Sequence, residues 1–236
     1  MKNLIKKITR FFGIELKKYK PKPNYFDFIK SLNIKTIIDI GANTGQFAKE
    51  IRTKLPNAKI YSFEPLKEVF DNLNENFARD TKFKALNMAL GDKKQEVEIN
   101  KSSYLPSSSI LEMTDVHKTL FPHTKDHTKE LAKIDRLDDV VRDLKIEKEI
   151  LIKVDVQGFE DKVINGGIQT FQKARIIIIE TSFKNLYFGQ PTFETLYQKL
   201  KFLDFSYFGS LQQKINSKTG EIISEDSIFL KQVFLS

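Results

Sequence analysis

The chain has 236 residues, of which 40% are hydrophobic, enough to fill one core of catalytic size. It has no cysteine, which excludes disulfides, thiolate metal sites and cysteine nucleophiles. No run approaches the roughly 18 apolar residues of a spanning helix, and the net charge of +8 is unevenly placed, with residues 1–22 holding seven of the eight charges. What remains is nearly neutral, which argues against nucleic acid as a partner.

In residues 1–22, Leu4, Ile5, Ile8, Phe11 and Phe12 recur at helical spacing, with Lys2, Lys6, Lys7 and Arg10 largely opposite. That is the pattern of a short helix lying on an anionic membrane surface; the alternative is an apolar face packed on the domain with its lysines in water. The lysines, Arg10 and Glu15 interrupt the stretch, so no cleavable leader is expected and the compartment expected is the cytoplasm; on the first of the two readings residues 1–20 make peripheral contact with the inner membrane face. The oligomeric state is not legible. The division expected is a basic amphipathic segment over 1–22 and one catalytic domain over 23–236.

After Pro21-Lys22-Pro23, a short helix is predicted over Tyr25 to Leu32 and a strand over Thr36 to Ile40. The helix after Gly45 stops near Leu55, before Pro56-Asn57. A second strand spans Lys59 to Phe63, a helix runs from Pro65 to about Phe77, and a third strand covers Phe83 to Met88. Glu96 to Asn100 adds a β segment. From Lys101 to Lys133 periodicity fades, and the segment reads as a long loop over the acceptor side. Order returns at Ile134 to Leu137 and in a helix from Leu137 to Leu144. The strand Ile150 to Val154 ends in Asp155; a helix over Phe159 to Asn165 is broken by Gly166-Gly167; the strand Arg175 to Ile179 is closed by Glu180. A helix over Thr192 to Leu203 precedes strands near Phe205 to Phe208 and Ser227 to Phe234, with a turn at Asn216 to Gly220. The alternation gives an α/β fold, a doubly wound and mostly parallel sheet with a β-rich C-terminal end.

The chemistry concentrates at IIDIGANTG, Ile37 to Gly45, and at Glu64, 25 residues beyond Asp39. A dinucleotide pyrophosphate calls for G-x-G-x-x-G, and here the middle glycine is missing. S-adenosylmethionine (SAM) makes no such demand: its zwitterionic end can lie over a tight turn while Glu64 accepts hydrogen bonds from both ribose hydroxyls. Asp39, Gly41, Asn43, Gly45 and Glu64 are therefore the candidate cofactor residues.

The set DIGANTG, FEP, NMALGD, SSSIL, IDRLDD and KVDVQGFEDKVINGG, in this order, resembles the FkbM family of SAM-dependent methyltransferases from about Ile37 to Glu180. The most specific part is K-x-D-x-x-G-x-E at Lys153, Asp155, Gly158 and Glu160, where Gln157 stands in place of the usual glutamate. The resemblance implies a Rossmann-like class I methyltransferase fold and O-methylation, frequently of sugar hydroxyls in glycans, and places Asn87 to Ala89 beside the adenine. Asp155 becomes the first candidate near the transferred methyl, its alternative being an N-cap for the following helix. Lys153 shares its strand face. Glu160 either orders the loop or meets substrate, and Glu180 is a second acceptor-site carboxylate.

The three histidines, His117, His123 and His127, all fall in the irregular segment. His117 and His123 are candidate proton acceptors. A metal held with Asp115 or Asp126 is the less favoured reading of their spacing, and no metal is expected. Ser107, Ser108 and Ser109 are candidates for acceptor hydroxyls, with Ser108 and Ser109 preferred. The alternatives to an O-methyltransferase acting on a hydroxyl-bearing small molecule or glycan are a nucleic-acid methyltransferase and a non-catalytic SAM-binding domain.

Overall fold

The computed structural model describes residues 25–124 and 126–232. The membrane expectation for residues 1–20 lies outside them. Among the described residues no helix is long and apolar enough to cross a membrane.

Helix α1 (Tyr25–Ser31) leads to β1 (Thr36–Ile40), α2 (Gln46–Lys54), β2 (Lys59–Phe63), α3 (Lys67–Asn76) and β3 (Phe83–Leu86). Then follow β4 (Ala89–Leu90), β5 (Gln95–Ser102), α4 (Asp115–Leu120), β6 (His127–Asp135), α5 (Leu137–Val140) and β7 (Ile150–Val154). The chain continues through α6 (Glu160–Gly166), α7 (Ile168–Gln172), β8 (Ala174–Ser182), α8 (Phe193–Phe202), β9 (Phe205–Ile215) and β10 (Ile222–Lys231). The main sheet has seven strands in the order β3-β2-β1-β7-β8-β10-β9. β3, β2, β1, β7 and β8 pair in parallel, and β10 inserts antiparallel to both β8 and β9. This is the Rossmann-like α/β architecture expected, with its order reversing between β1 and β7, where such sheets bind ligands.

Strands buried on both faces read as apolar runs, and β1 and β7 are buried throughout. Their alternate residues feed two cores. Ile38, Ile40, Ile152, Val154, Ile177 and Phe171 pack on one face; Ile37, Ile60, Leu151, Ile176 and Ile228 pack under α1 and α2 on the other. On this second face the apolar pattern changes at Asp39, Lys153 and, in β2, Ser62, which sit side by side in register.

Several elements depart from the sequence reading. The segment Lys101 to Lys133 is not irregular: β6 runs antiparallel to β5 from His127, and with β4 they form a second, three-stranded sheet. Within β6 only Ala132 and Ile134 are buried. Apolar alternation is therefore nearly absent; the backbone ladder with β5 holds the ribbon, flanked by exposed pairs such as Lys129–Glu98 at 2.6 Å. The third predicted strand is cut at Leu86, where the chain leaves the main sheet for β4. The last two strands are longer than predicted and form a hairpin, β9 reaching Ile215 and β10 starting at Ile222.

The pair Gly166-Gly167 separates α6 from α7, but Gly166 has a second role. A Cβ there would lie 1.8 Å from the Gly91 carbonyl oxygen, so only glycine lets α6 press against the loop after β4. Replacing it forces backbone apart in a packed interior. Gly166→Ala is expected to destabilise the protein by about 2–4 kcal/mol, measured by chemical denaturation.

Candidate active site

A cavity of about 300 Å³ opens over the carboxyl ends of β1, β2 and β7, at the low end of small-molecule sites. Its walls come from four parts of the chain: the loop Gly41 to Asn43, Glu64 to Leu66, the stretch Met88 to Leu90, and Lys153 to Gln157 with Phe159. Leu105, Pro106, Ser108, Ser109 and Ile110 cover one side; Leu211, Gln212 and Asp226 of the β9–β10 hairpin close another.

The loop after β1 is shaped by contacts, not by its own propensity. The Gly41 and Ala42 N–H groups both donate to the Phe63 carbonyl at 3.0 Å. Gly41 has φ +78°, and a Cβ on it would stand 1.8 Å from the Asp155 carbonyl oxygen. Only glycine permits that conformation and that approach. The Glu64 carboxylate accepts from Asn43 N–H at 2.9 Å and from Leu66 N–H at 3.0 Å, so it ties the glycine loop to the start of α3. Each oxygen keeps a second lone pair on a wall of the cavity.

Lys153 and Asp155 lie on one strand face, with Nζ 3.1 Å from Oδ2. Gln157 holds the other Asp155 oxygen: its Nε2 donates to Asp155 Oδ1 and to Glu180 Oε2, both at 2.7 Å, while its Oε1 accepts from the Tyr187 hydroxyl at 2.9 Å. Glu180 is completed by Lys214 at 3.0 Å. An uncharged amide at 157 thus bridges two carboxylates, a task a glutamate cannot perform while ionised. Glu160 accepts from Gly158 N–H at 3.0 Å and Val156 N–H at 3.3 Å, which orders the loop and leaves it off the cavity wall. Asp155 caps no helix, since the N-cap of α6 is Phe159 and no side chain caps it.

Not every candidate residue reaches the cavity. Asp39, Gly41, Asn43, Glu64, Ala89, Lys153, Asp155, Ser108 and Ser109 line it. Gly45 does not; it packs against Phe77 and Leu73. Asn87 stands behind the wall and donates to the carbonyls of Glu64 and Pro65 at 3.0 and 2.9 Å. Glu180 is one layer back, behind Gln157. The two candidate histidines are also off the wall. His117 is buried between Phe121 and Tyr187 with Nδ1 3.3 Å from Thr124 Oγ1, and His123 lies edge-on to Tyr104. His127 opens β6, and no group of carboxylates and histidines among the described residues is placed to hold a metal. The serines are engaged: Ser109 Oγ donates to the Gln157 carbonyl at 2.6 Å and Ser108 Oγ accepts from Ser102 N–H at 3.0 Å. Ser107 is buried off the wall. Sequence reading missed Asp226, Gln212 and Leu211, because only the strand order brings the C-terminal hairpin beside Asp155. The one signal available was an acidic residue inside a strand, Asp226, where an apolar one belongs.

The buried charges disturb each other. Burial lifts the Asp39 carboxyl to about 6 against the opposing pull of Lys153 and Ser62, and lifts Glu64 to about 7 despite its two N–H donors. Burial, then the neighbouring Glu180, raises Glu160 to about 8; burial, then Asp155, raises Glu180 to about 7. Burial opposes ionisation of Asp155 too, yet the Lys153 and Lys214 ammonium groups hold it below the ordinary carboxylate range. Lys153 stays charged: burial works against it, and Asp155, Asp226 and Asp39 outweigh that. Burial drops His117 to about 4.

A carboxyl raised on folding takes up protons in the native state, so its stabilisation is present below the unfolded value and lost as pH rises through the folded one. His117 has the opposite demand, confined to pH below 6.5. Between pH 6.5 and 8 the raised carboxyls act alone, and the ligand-free protein is expected to lose about 1–3 kcal/mol as pH rises, read from urea denaturation at each pH.

The site suits SAM on two counts: Asp39 Oδ1 is buried with no protein partner, and Glu64 presents free lone pairs on the cavity wall. Comparison with known proteins agrees. The chain is 28% identical over 162 residues to the 2-O-methyltransferase NoeI of Sinorhizobium fredii, covering 65% of this chain and 66% of the relative. It is 31% identical over 169 residues to the methyltransferase sdnD of Sordaria araneosa, covering 61% and 65%. It thus spans about two thirds of the length of these curated relatives. Among solved structures, the METTL16 methyltransferase domain aligns over 97% of this chain and 78% of its own, with TM-score 0.49 and 12% identity. The model of the methyltransferase FkbM domain matches residues 39–207, so this chain belongs to the FkbM methyltransferases, with SAM as methyl donor.

Proposed function

We propose that this protein transfers a methyl group from SAM to a hydroxyl of a sugar in a glycan or glycoconjugate. The observation that carries the reading is the Asp155 carboxylate, held on the cavity wall by Lys153 and Gln157 at the carboxyl end of the central strand pair. When bound, the SAM sulfonium supplies the electrophilic methyl and its leaving group. The protein then has to align an oxygen and take its proton. Asp155 accepts that proton as the carbon–oxygen bond forms, and Lys153 fixes its orientation. Glu64 takes the ribose hydroxyls, the loop Gly41 to Asn43 receives the methionine end, and Met88 to Leu90 border the adenine. The similarity to NoeI, a 2-O-methyltransferase, supports an oxygen acceptor. A nucleic-acid acceptor is disfavoured: Asp39, Glu50, Glu64, Asp155 and Asp226 line the cavity against Lys153, and phosphate binding needs the reverse balance.

Two outcomes test these roles. Asp155→Asn is expected to lower kcat by about 100-fold or more while the SAM dissociation constant stays within about twofold, measured by release of S-adenosylhomocysteine and by calorimetry; unchanged turnover refutes the assignment. Because Glu64 has to be ionised to accept two hydroxyls, SAM affinity is expected to fall as pH drops below about 7, by up to about tenfold per unit. Glu64→Gln should remove that part of the pH dependence in the same calorimetric titration.

A further inference from the structure

Asp226 differs from every neighbouring carboxylate. Asp155 is matched by Lys153, and Glu180 by Lys214. Glu225 accepts from Tyr207 and Gln213 at 2.9 Å and from Ser227 at 2.8 Å. Glu64 and Glu160 accept from backbone N–H groups. Asp226 alone in this group accepts no hydrogen bond and makes no ion pair among the described residues, although it is half-buried. It lies opposite Glu180 in the β8–β10 register, two residues along the sheet face from the row that holds Lys153, and it lines the cavity next to Gln212.

We propose that Asp226 is an acceptor-binding residue that selects a sugar carrying a protonated amine close to the hydroxyl to be methylated. The inference rests on the sugar-hydroxyl reading above and narrows it. A polar group left without a protein partner in a half-buried wall calls for a ligand donor. Lys153 and Lys214 face four carboxylates, Asp39, Asp155, Glu180 and Asp226, so negative charge is in excess around Asp226 even with both lysines acting on it, and in a partly desolvated cavity an ammonium group answers both the lone pairs and the charge. A hydroxyl answers only the first. A phosphate meets repulsion from Asp155 and Asp226 together. The Gln212 amide beside it is free to orient a neighbouring ring hydroxyl.

The test is a binding experiment on the full-length chain loaded with S-adenosylhomocysteine, titrated by ligand-observed NMR with methyl glucosaminide, methyl glucoside and glucose 6-phosphate. The amino glycoside is expected to bind at least about tenfold tighter than the neutral one, and the phosphate to bind more weakly than both. Asp226→Asn should erase the preference while leaving S-adenosylhomocysteine affinity and the melting temperature unchanged; Asp226→Ala serves if the first variant does not fold. Equal binding of the two glycosides, a preference that survives in the variants, tighter binding of the phosphate, or no binding of any of the three overturns the proposal. The separate reading of methyl transfer fails on a different measurement, if no hydroxylated acceptor releases S-adenosylhomocysteine from SAM.

Discussion

The buried ammonium of Lys153 is the constraint on which the rest of the site depends. It sits in β7 beside Asp39 of β1 in register, 3.1 Å from Asp155, with Asp226 across β8. Three carboxylates could not share this space as anions without it. Breaking a buried pair by removing one partner typically costs about 3–5 kcal/mol, since the survivor is left charged and unsolvated. Lys153 therefore keeps Asp155 ionised and also fixes which face of the central sheet carries chemistry.

That face is a continuation of the core. From Ile37, Ile60 and Leu151 upward the same side of the sheet is apolar and sealed by α1 and α2; at Asp39, Ser62 and Lys153 it turns polar within one residue pair. Period-two alternation then carries the pattern past the strand ends to Glu64, Gly41 and Asp155. The apolar base supplies rigidity and low polarity, and the low polarity is what lifts Asp39, Glu64 and Glu180 above their ordinary values. Site electrostatics and core packing are thus one arrangement.

The remaining sides of the cavity are built by elements outside the repeating βα units. The small sheet β4-β6-β5 packs Ile99 and Ala132 on Leu66 and Val69, and pins Ser109 to Asn100 through paired backbone bonds at 2.8 and 3.2 Å. This fixes Leu105 to Ile110 over the cavity. From the other side, the hairpin β9–β10 brings Gln212 and Asp226. The cavity wall is consequently drawn from the βα units on one side and from the small sheet and the C-terminal hairpin on the others.

The parallel strands, the glycine loop and the shared face of Lys153 and Asp155 were legible because each rests on a local rule: apolar runs for strands buried on both faces, a glycine at a tight turn, alternation placing 153 and 155 together; the Lys153 to Glu160 motif was legible through its family resemblance. Local rules do not say which distant groups meet. β6 escaped because only Ala132 and Ile134 of its residues are buried, too few to show an apolar alternation, and its place is set by backbone pairing with the distant β5. His117 and His123 looked catalytic by residue type, yet α4 turns His117 into an aromatic cluster. Asp226 is invisible until β10 inserts next to β8. The sequence by itself determined the parallel strands and the glycine loop; the tertiary structure alone decided which distant side chains share the cavity wall, because non-local strand pairing, not chain proximity, brings β10 and Asp226 beside β8.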